Sequence, residues 1–100
     1  MNQLERIEHF EKIFEETSAA VDELSNALEK YSAVQEKYFE LMSYYGEEWR
    51  HDYEDDEEGK IPKDLKRGVL SQDGVYDLLA KNRVLQIRIL EIFADILRKG

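Results

Sequence analysis

A heptad repeat that runs from residue 2 to residue 45, with no proline or glycine before Gly46, constrains this chain more than any other feature. With Ile7 at position a, ten of the twelve a and d positions are apolar or aromatic, and apolar g positions widen the stripe. The pattern predicts one helix over 2–45, about 66 Å long, with Gly46 as its terminator. Thr17 or Ser18 could also cap a second helix and divide the first at 17–20. The a and d positions are Ile7, Phe10, Phe14, Thr17, Val21, Leu24, Leu28, Tyr31, Gln35, Tyr38, Met42 and Tyr45.

A second helix is predicted over residues 71–98. Ser71 is a suitable N-cap, and Leu70 and Val75 are spaced to pack against each other around it. Ten of the 14 residues from Val84 to Leu97 are apolar, which leaves only one narrow polar strip. A helix of this composition is expected to contact at least two others.

Composition agrees with an all-α fold in a single domain over residues 1–100. Five glycines and one proline are too few for a turn-rich sandwich or barrel, and the absence of cysteine excludes disulfides and thiolate metal sites. The predicted architecture is a long first helix packed antiparallel on a shorter last helix. An ordered segment over 46–70, with a short helix and an acidic loop, connects the two.

The unequal lengths of the two helices predict self-association. A last helix of about 28 residues that starts beside Tyr45 would reach back only to about residue 18. The apolar residues before that point would then be uncovered, which is unusual for a soluble monomer. A homodimeric helical bundle is therefore expected, and a three-helix monomer that folds back at 17–20 is the other possibility. The residues predicted to self-associate are Leu4, Ile7, Phe10, Ile13, Phe14, Ile89, Phe93 and Ile96.

Charge is distributed unevenly along the chain. The net charge is −9 overall, −13 over residues 1–59 and +4 over residues 60–100. Two explanations fit this uneven charge. Either the acidic and basic parts attract each other along an internal helix contact, or the acidic part is a face presented to a basic partner. The acidic total argues against nucleic acid and against an anionic membrane surface as partners. Neither a signal peptide nor a membrane-spanning stretch is recognisable, so a cytoplasmic location is expected.

The middle segment holds the residues most suited to recognition. Trp49 and Tyr53 are spaced i, i+4, and the aromatic residues around them are expected to meet at the turn. Such a cluster serves either as a small core that pins a loop or as a binding surface. Nearby bases could hold phosphate or an acidic segment, or could neutralise the acidic run at 54–58. The candidate interaction surface comprises Tyr44, Tyr45, Trp49, Tyr53, Lys63, Lys66, Arg67 and Tyr76.

Helix ends in this segment are predicted from its glycines and its proline. Pro62 suits the first position of a short helix that Gly68 ends. Gly46 and Gly68 are both expected to adopt positive φ as helix terminators.

No pattern in the middle segment predicts a catalytic or metal site. A calcium loop with Gly59 at its sixth position would place Leu65 where a bidentate glutamate is needed. His51 lies beside Asp52, but adjacent side chains rarely point the same way, and no serine or cysteine nucleophile is indicated. We therefore expect no enzyme activity, no cofactor and no metal.

Two stretches of the middle segment resemble a known family. Tyr44-Tyr45-Gly46 and Pro62 to Ser71 are similar to motifs of domain-of-unknown-function family 4298, although Glu47 stands where that family usually has serine. The resemblance covers essentially the whole chain and implies a small acidic helical protein of Gram-positive bacteria. The family has no established activity, cofactor or partner, so the resemblance implies no role for any residue.

Two functions are compatible with these features. The favoured one is a non-catalytic helical protein–protein interaction module, dimeric and with an unknown protein partner. The alternative is an acidic inhibitor or nucleic-acid mimic that offers its carboxylates to a basic protein.

Overall fold

A computed structural model describes all 100 residues and is all-α, as predicted, with 81 residues in helices and no strand. The α-helices are α1 (Gln3–Ala33), α2 (Gln35–Gly46), α3 (Trp49–Glu57) and α4 (Gly74–Lys99), and a 3-10 helix covers Gly68–Leu70. The chain divides into two compact units, Met1–Leu41 and Met42–Gly100, which are described separately. The predicted antiparallel packing of the first helix on the last would join these units and stays a prediction. No helix combines the length and the apolar character needed to cross a bilayer.

Helix α1 begins with a side-chain cap. The Asn2 side chain accepts a hydrogen bond from the Glu5 amide at 2.8 Å, and its own amide group donates to the Glu5 carboxylate at 2.9 Å. The helix then continues through 17–20, so the possible division at that point is wrong. Thr17 and Ser18 have helical backbone there because the heptad pattern continues on both sides of them. Every residue from 1 to 30 is exposed.

The predicted helix over 2–45 is instead interrupted at Val34, whose φ of −90° and ψ of 0° lie outside the helical region. The Gln35 side chain donates a hydrogen bond to the Tyr31 carbonyl at 2.9 Å. In a regular helix that carbonyl would accept from the Gln35 backbone amide. The side chain replaces the backbone donor, so the series of helical backbone hydrogen bonds is interrupted at this residue. Helix α2 follows, with the Tyr38 amide donating to the Val34 carbonyl at 2.8 Å.

Only Gly59, with φ of 77°, has left-handed backbone, so the prediction of positive φ at Gly46 and Gly68 is wrong. Gly59 follows α3 in a Schellman motif, in which its amide donates to the Asp56 carbonyl and the Lys60 amide donates to the Asp55 carbonyl. Gly46 remains helical as the last residue of α2. Gly68 begins the 3-10 helix, rather than ending a helix from Pro62.

Helix α4 begins at Gly74, so the predicted start at Ser71 is wrong. The Ser71 hydroxyl donates to the Gly68 carbonyl at 2.8 Å and therefore closes the 3-10 helix instead of capping α4. At Gly74 the backbone lies close to this turn, since a Cβ there would be 2.3 Å from Ser71 Oγ. Leu70 and Val75, the pair predicted to pack at this helix start, are the only buried residues, at 8% and 4% exposure.

One stripe of α4 is covered, and its members recur at alternating spacings of four and three residues. These residues are half-buried or buried: Val75, Leu79, Asn82, Gln86, Ile89 and Phe93. Apolar residues on both sides of the stripe, among them Leu90 and Ile96, are exposed. The expectation that α4 contacts at least two helices stays a prediction.

Candidate functional site

Three aromatic rings contact one another in succession at the junction of α2 and α3, the first pair edge to face and the second pair stacked. Tyr45, Trp49 and Tyr53 are spaced i, i+4, i+8 and lie on one face because the chain remains close to helical through Glu47 and Glu48. The Tyr45 and Trp49 ring centroids are 4.9 Å apart at an interplanar angle of 61°. The Trp49 and Tyr53 centroids are also 4.9 Å apart, and these rings are nearly parallel at 17°. We call these three residues the aromatic stack.

The aromatic stack is tied to the segment that precedes α4. The indole Nε1 of Trp49 donates a hydrogen bond to the Val69 carbonyl at 2.7 Å. Val69 is in the 3-10 helix, whose next residue is the buried Leu70. The bond therefore fixes α3 against the small core at the start of α4.

Tyr44 belongs to the same turn but makes a different contact. Its hydroxyl donates to the Asp52 carboxylate at 2.7 Å. Burial, this hydrogen bond and the negative charges of Asp52 and Glu48 raise the pKa of Tyr44 to about 12. The phenol therefore stays protonated and bridges α2 and α3 over the whole physiological pH range.

The acidic run is helical, so the prediction of an acidic loop is wrong. Glu54 to Glu57 are the last turn of α3. Carboxylates are unfavourable at this end of a helix because of its dipole, and nearby bases offset them. Arg67 Nη1 lies 2.5 Å from Asp56 Oδ1, with both side chains half-buried, and Lys60 Nζ lies 2.8 Å from Glu58 Oε2.

These ion pairs divide the four bases that follow the acidic run into two that are paired within the chain and two that are not. Arg67 and Lys60 neutralise this chain's own acids, whereas Lys63 and Lys66 are exposed. No group of acidic or histidine side chains is arranged to hold a metal ion.

Tyr76, the remaining predicted member, is 62% exposed on α4 and makes no ring contact with the aromatic stack. The prediction that Tyr76 joins the cluster depends on the last helix opening beside the end of the first. Tyr76 does lie in the first turn of α4, but its ring does not reach the other three.

A small cavity of about 170 Å³ lies beside the aromatic stack. Its walls are Trp49, Arg50, Tyr53, Glu54 and Gln72, and Arg50 Nε lies 3.4 Å from Glu54 Oε1. Sequence reasoning missed Arg50 and Gln72 as members of this site. The i, i+4 spacing of Arg50 and Glu54 was a usable signal, but nothing in the sequence indicated that Gln72 would lie near them.

The residues predicted to self-associate fall into two groups. Those on α1, from Leu4 to Phe14, are exposed along one face. On α4, Ile96 is 58% exposed, whereas Ile89 and Phe93 are half-buried within the single chain. The α4 part of the predicted surface is therefore partly covered, because Ile89 and Phe93 belong to the covered stripe.

Comparison with known protein families identifies the family of this chain. The model of a family described as a domain of unknown function (DUF4298) matches residues 7–92. No curated protein and no solved structure matches the chain.

Proposed function

The chain belongs to the DUF4298 family, whose description assigns no activity, and we propose that it is a non-catalytic helical protein–protein interaction module. The observation that carries this proposal is the apolar face of α1. Eight large apolar side chains on that helix are between 42% and 71% exposed. They are Leu4, Ile7, Phe10, Ile13, Phe14, Val21, Leu24 and Leu28, and we call them the α1 face.

The spacing of these residues suits the docking of another helix. Apolar residues that recur every three or four positions lie on one side of a helix and fit the groove of a helical partner. Exposed apolar patches of this extent on a soluble protein generally mark an interaction site. Each of these side chains would contribute about 1.5–3 kcal/mol if it passed from full exposure to full burial.

The alternative of an acidic inhibitor or nucleic-acid mimic draws on the acids of α1 and of the middle segment. In the middle segment the ion pairs of Asp56 and Glu58 already use part of this charge within the chain. Most of the remaining support for mimicry is on α1, whose acids lie mainly on the side away from the α1 face.

Two matched variants of α1 separate these functions. Ile7→Glu with Phe14→Glu places two charges on the α1 face, and Ala19→Glu with Asn26→Glu places two charges seven residues apart on the opposite side. A tagged chain is used to capture proteins, including untagged copies of itself, from cells that make it. The module predicts that captured protein is lost with the first variant, is kept with the second, and resists about 0.5 M salt.

Mimicry predicts the reverse pattern. Salt of that concentration would release the captured protein, and the variant on the α1 face would keep it. That result would refute the interaction module and leave mimicry as the function.

A further inference from the structure

We propose that the partner of the α1 face is a second copy of α1, paired antiparallel about a two-fold axis that passes near Glu15 and Glu16. This inference rests on the proposed function and names the occupant of that face. It follows from the length of the exposed segment, the order of its side chains and the positions of its charges.

The length of the exposed segment defines what can cover it. Exposure is continuous from residue 1 to residue 30 and stops at Tyr31, the first half-buried residue of the chain. The occupant is therefore a helix of about eight turns with the same 3.5-residue period. Helix α1 itself has this length and this period.

The order of the side chains fits antiparallel pairing. With the axis near Glu15 and Glu16, each layer joins a larger side chain of one copy to a smaller or similar one of the other. Facing layers of unequal size interdigitate without voids. The resulting core pairs are Ile7 with Leu24, Phe10 with Val21 and Phe14 with Thr17, while Leu28 faces Gln3 with Leu4 beside it, and Ile13 and Ala20 flank the contact at g positions.

Parallel pairing gives a less favourable set of layers. It would stack Phe10 on Phe10 and Phe14 on Phe14, and would leave the small Thr17 facing its own copy. It would also place like ends of the two helix dipoles together, whereas antiparallel pairing places opposite ends together.

The charges of α1 do not oppose self-pairing, although the helix is acidic. Its carboxylates are at positions b, c and f, away from the partner, with the exception of Glu11. The only charged residues at the e and g positions that flank the contact are Glu11 and Arg6. In the antiparallel register Glu11 comes level with Ala20 of the second copy and Arg6 with Ser25, so neither meets a like charge.

The area of the α1 face is sufficient for a stable dimer. At roughly 100 Å² for each half-exposed large side chain, the eight residues offer about 800 Å² per copy, which is what one partner contributes to a standard interface. Because the interface is isologous, the same patch serves both copies.

Single cysteines test the register, since the natural chain has none. Ile7→Cys and Leu24→Cys are prepared separately, and each is oxidised alone and after mixing with the other. We expect interchain disulfides in the mixture at a level about ten-fold above either variant alone, because the two positions lie opposite each other. Two copies of residue 7 would be about 26 Å apart and unable to bridge.

Sedimentation equilibrium of the wild-type chain supplies the second measurement. We expect twice the chain mass of 11.9 kDa, a single-chain mass for Ile7→Glu with Phe14→Glu, and no change for Ala19→Glu with Asn26→Glu. Circular dichroism of each variant verifies that the helices are retained.

Three results would overturn the inference. Cross-linking of Ile7→Cys with itself would show parallel pairing, and equal cross-linking in all samples would show that no register exists. A wild-type mass of one chain at high micromolar concentration would show that a second copy is not the occupant. The proposed function would survive that last result if the variant on the α1 face still lost a different captured protein.

Discussion

Replacement of Gly59 by alanine tests the helix-end assignments directly. Gly59 has φ of 77°, a region that costs an L-amino acid about 1–2 kcal/mol. Gly46 ends α2 without positive φ, and a Cβ added there would meet no atom within 4 Å. Both alanine variants reduce the entropy of the unfolded chain by the same amount, which stabilises the fold. The difference between them, about 1–2 kcal/mol, therefore measures the cost of left-handed backbone at Gly59.

Trp49 is the chain's single tryptophan and lies between these two glycines in sequence, so its fluorescence reports the unit that contains both. Thermal or urea unfolding of Gly59→Ala and Gly46→Ala gives the two stabilities. We expect Gly59→Ala to melt below the wild type and Gly46→Ala at or above it, with about 4–8 °C for each kcal/mol in a unit of this size. Equal stability of the two variants, or a lower stability for Gly46→Ala, would refute the Schellman assignment.

Three further variants examine the contacts of the middle segment. The folded-state pKa of Tyr44 is about 12 and its ordinary value is 10.0, so its contribution to stability is complete below pH 10 and is lost as pH rises towards 12. Tyr44→Phe should therefore lose this pH-dependent part of the free energy of unfolding, measured by urea titration at a series of pH values. Unchanged pH dependence in the variant would contradict the contact with Asp52. Asp56→Asn should destabilise the fold by about 1 kcal/mol because its ion pair is half-buried. Glu54→Gln, whose ion pair is exposed, should have little effect, and calorimetric unfolding measures both variants. Trp49→Phe keeps an aromatic ring but loses the indole donor and should lower the free energy of unfolding by about 1 kcal/mol, measured by circular dichroism; wild-type stability would show that this hydrogen bond contributes nothing.

The helical architecture could be predicted because it depends on local periodicity. The heptad repeat and the apolar density of the last helix each specify a face, and helices formed over nearly the expected residues. The break at Val34 could not be predicted in this way, because the repeat continues on both sides of Gln35, which is only one of its two polar a and d positions. Its side chain competes with its own backbone amide for one carbonyl, and periodicity contains no information about that competition.

The glycines also show which helix ends the sequence could and could not predict. Gly46 follows a clear apolar run and so resembled a terminator, but helical structure continues almost directly into α3. Gly59 follows five consecutive acids, which resembled a solvated loop. The acidic run is helical because Arg67 and Lys60 come close enough to neutralise it, and those contacts depend on how the chain turns after Gly59.

The site was predicted where contacts are local and missed where they are distant. The i, i+4 spacing identified Trp49 with Tyr53, and the stack is formed. The acceptor of the Trp49 indole is the carbonyl of Val69, twenty residues away, and a backbone carbonyl has no sequence signature. Tyr76 was assigned to the cluster from the expected placement of the last helix beside the end of the first, which is a distant contact, and its ring is exposed.

The heptad repeat itself continues unchanged from Ile7 to Tyr45, yet burial along it changes at Tyr31. The same pattern thus describes an exposed face before Tyr31 and a half-buried one after it. Periodicity specifies which side of a helix requires cover, and the chain's own contacts determine which part of that side receives it. The segment from Leu4 to Leu28 is exposed, and its large and small side chains are ordered so that the reversed segment complements it. A second copy of α1 therefore satisfies both the period and the order of the uncovered face.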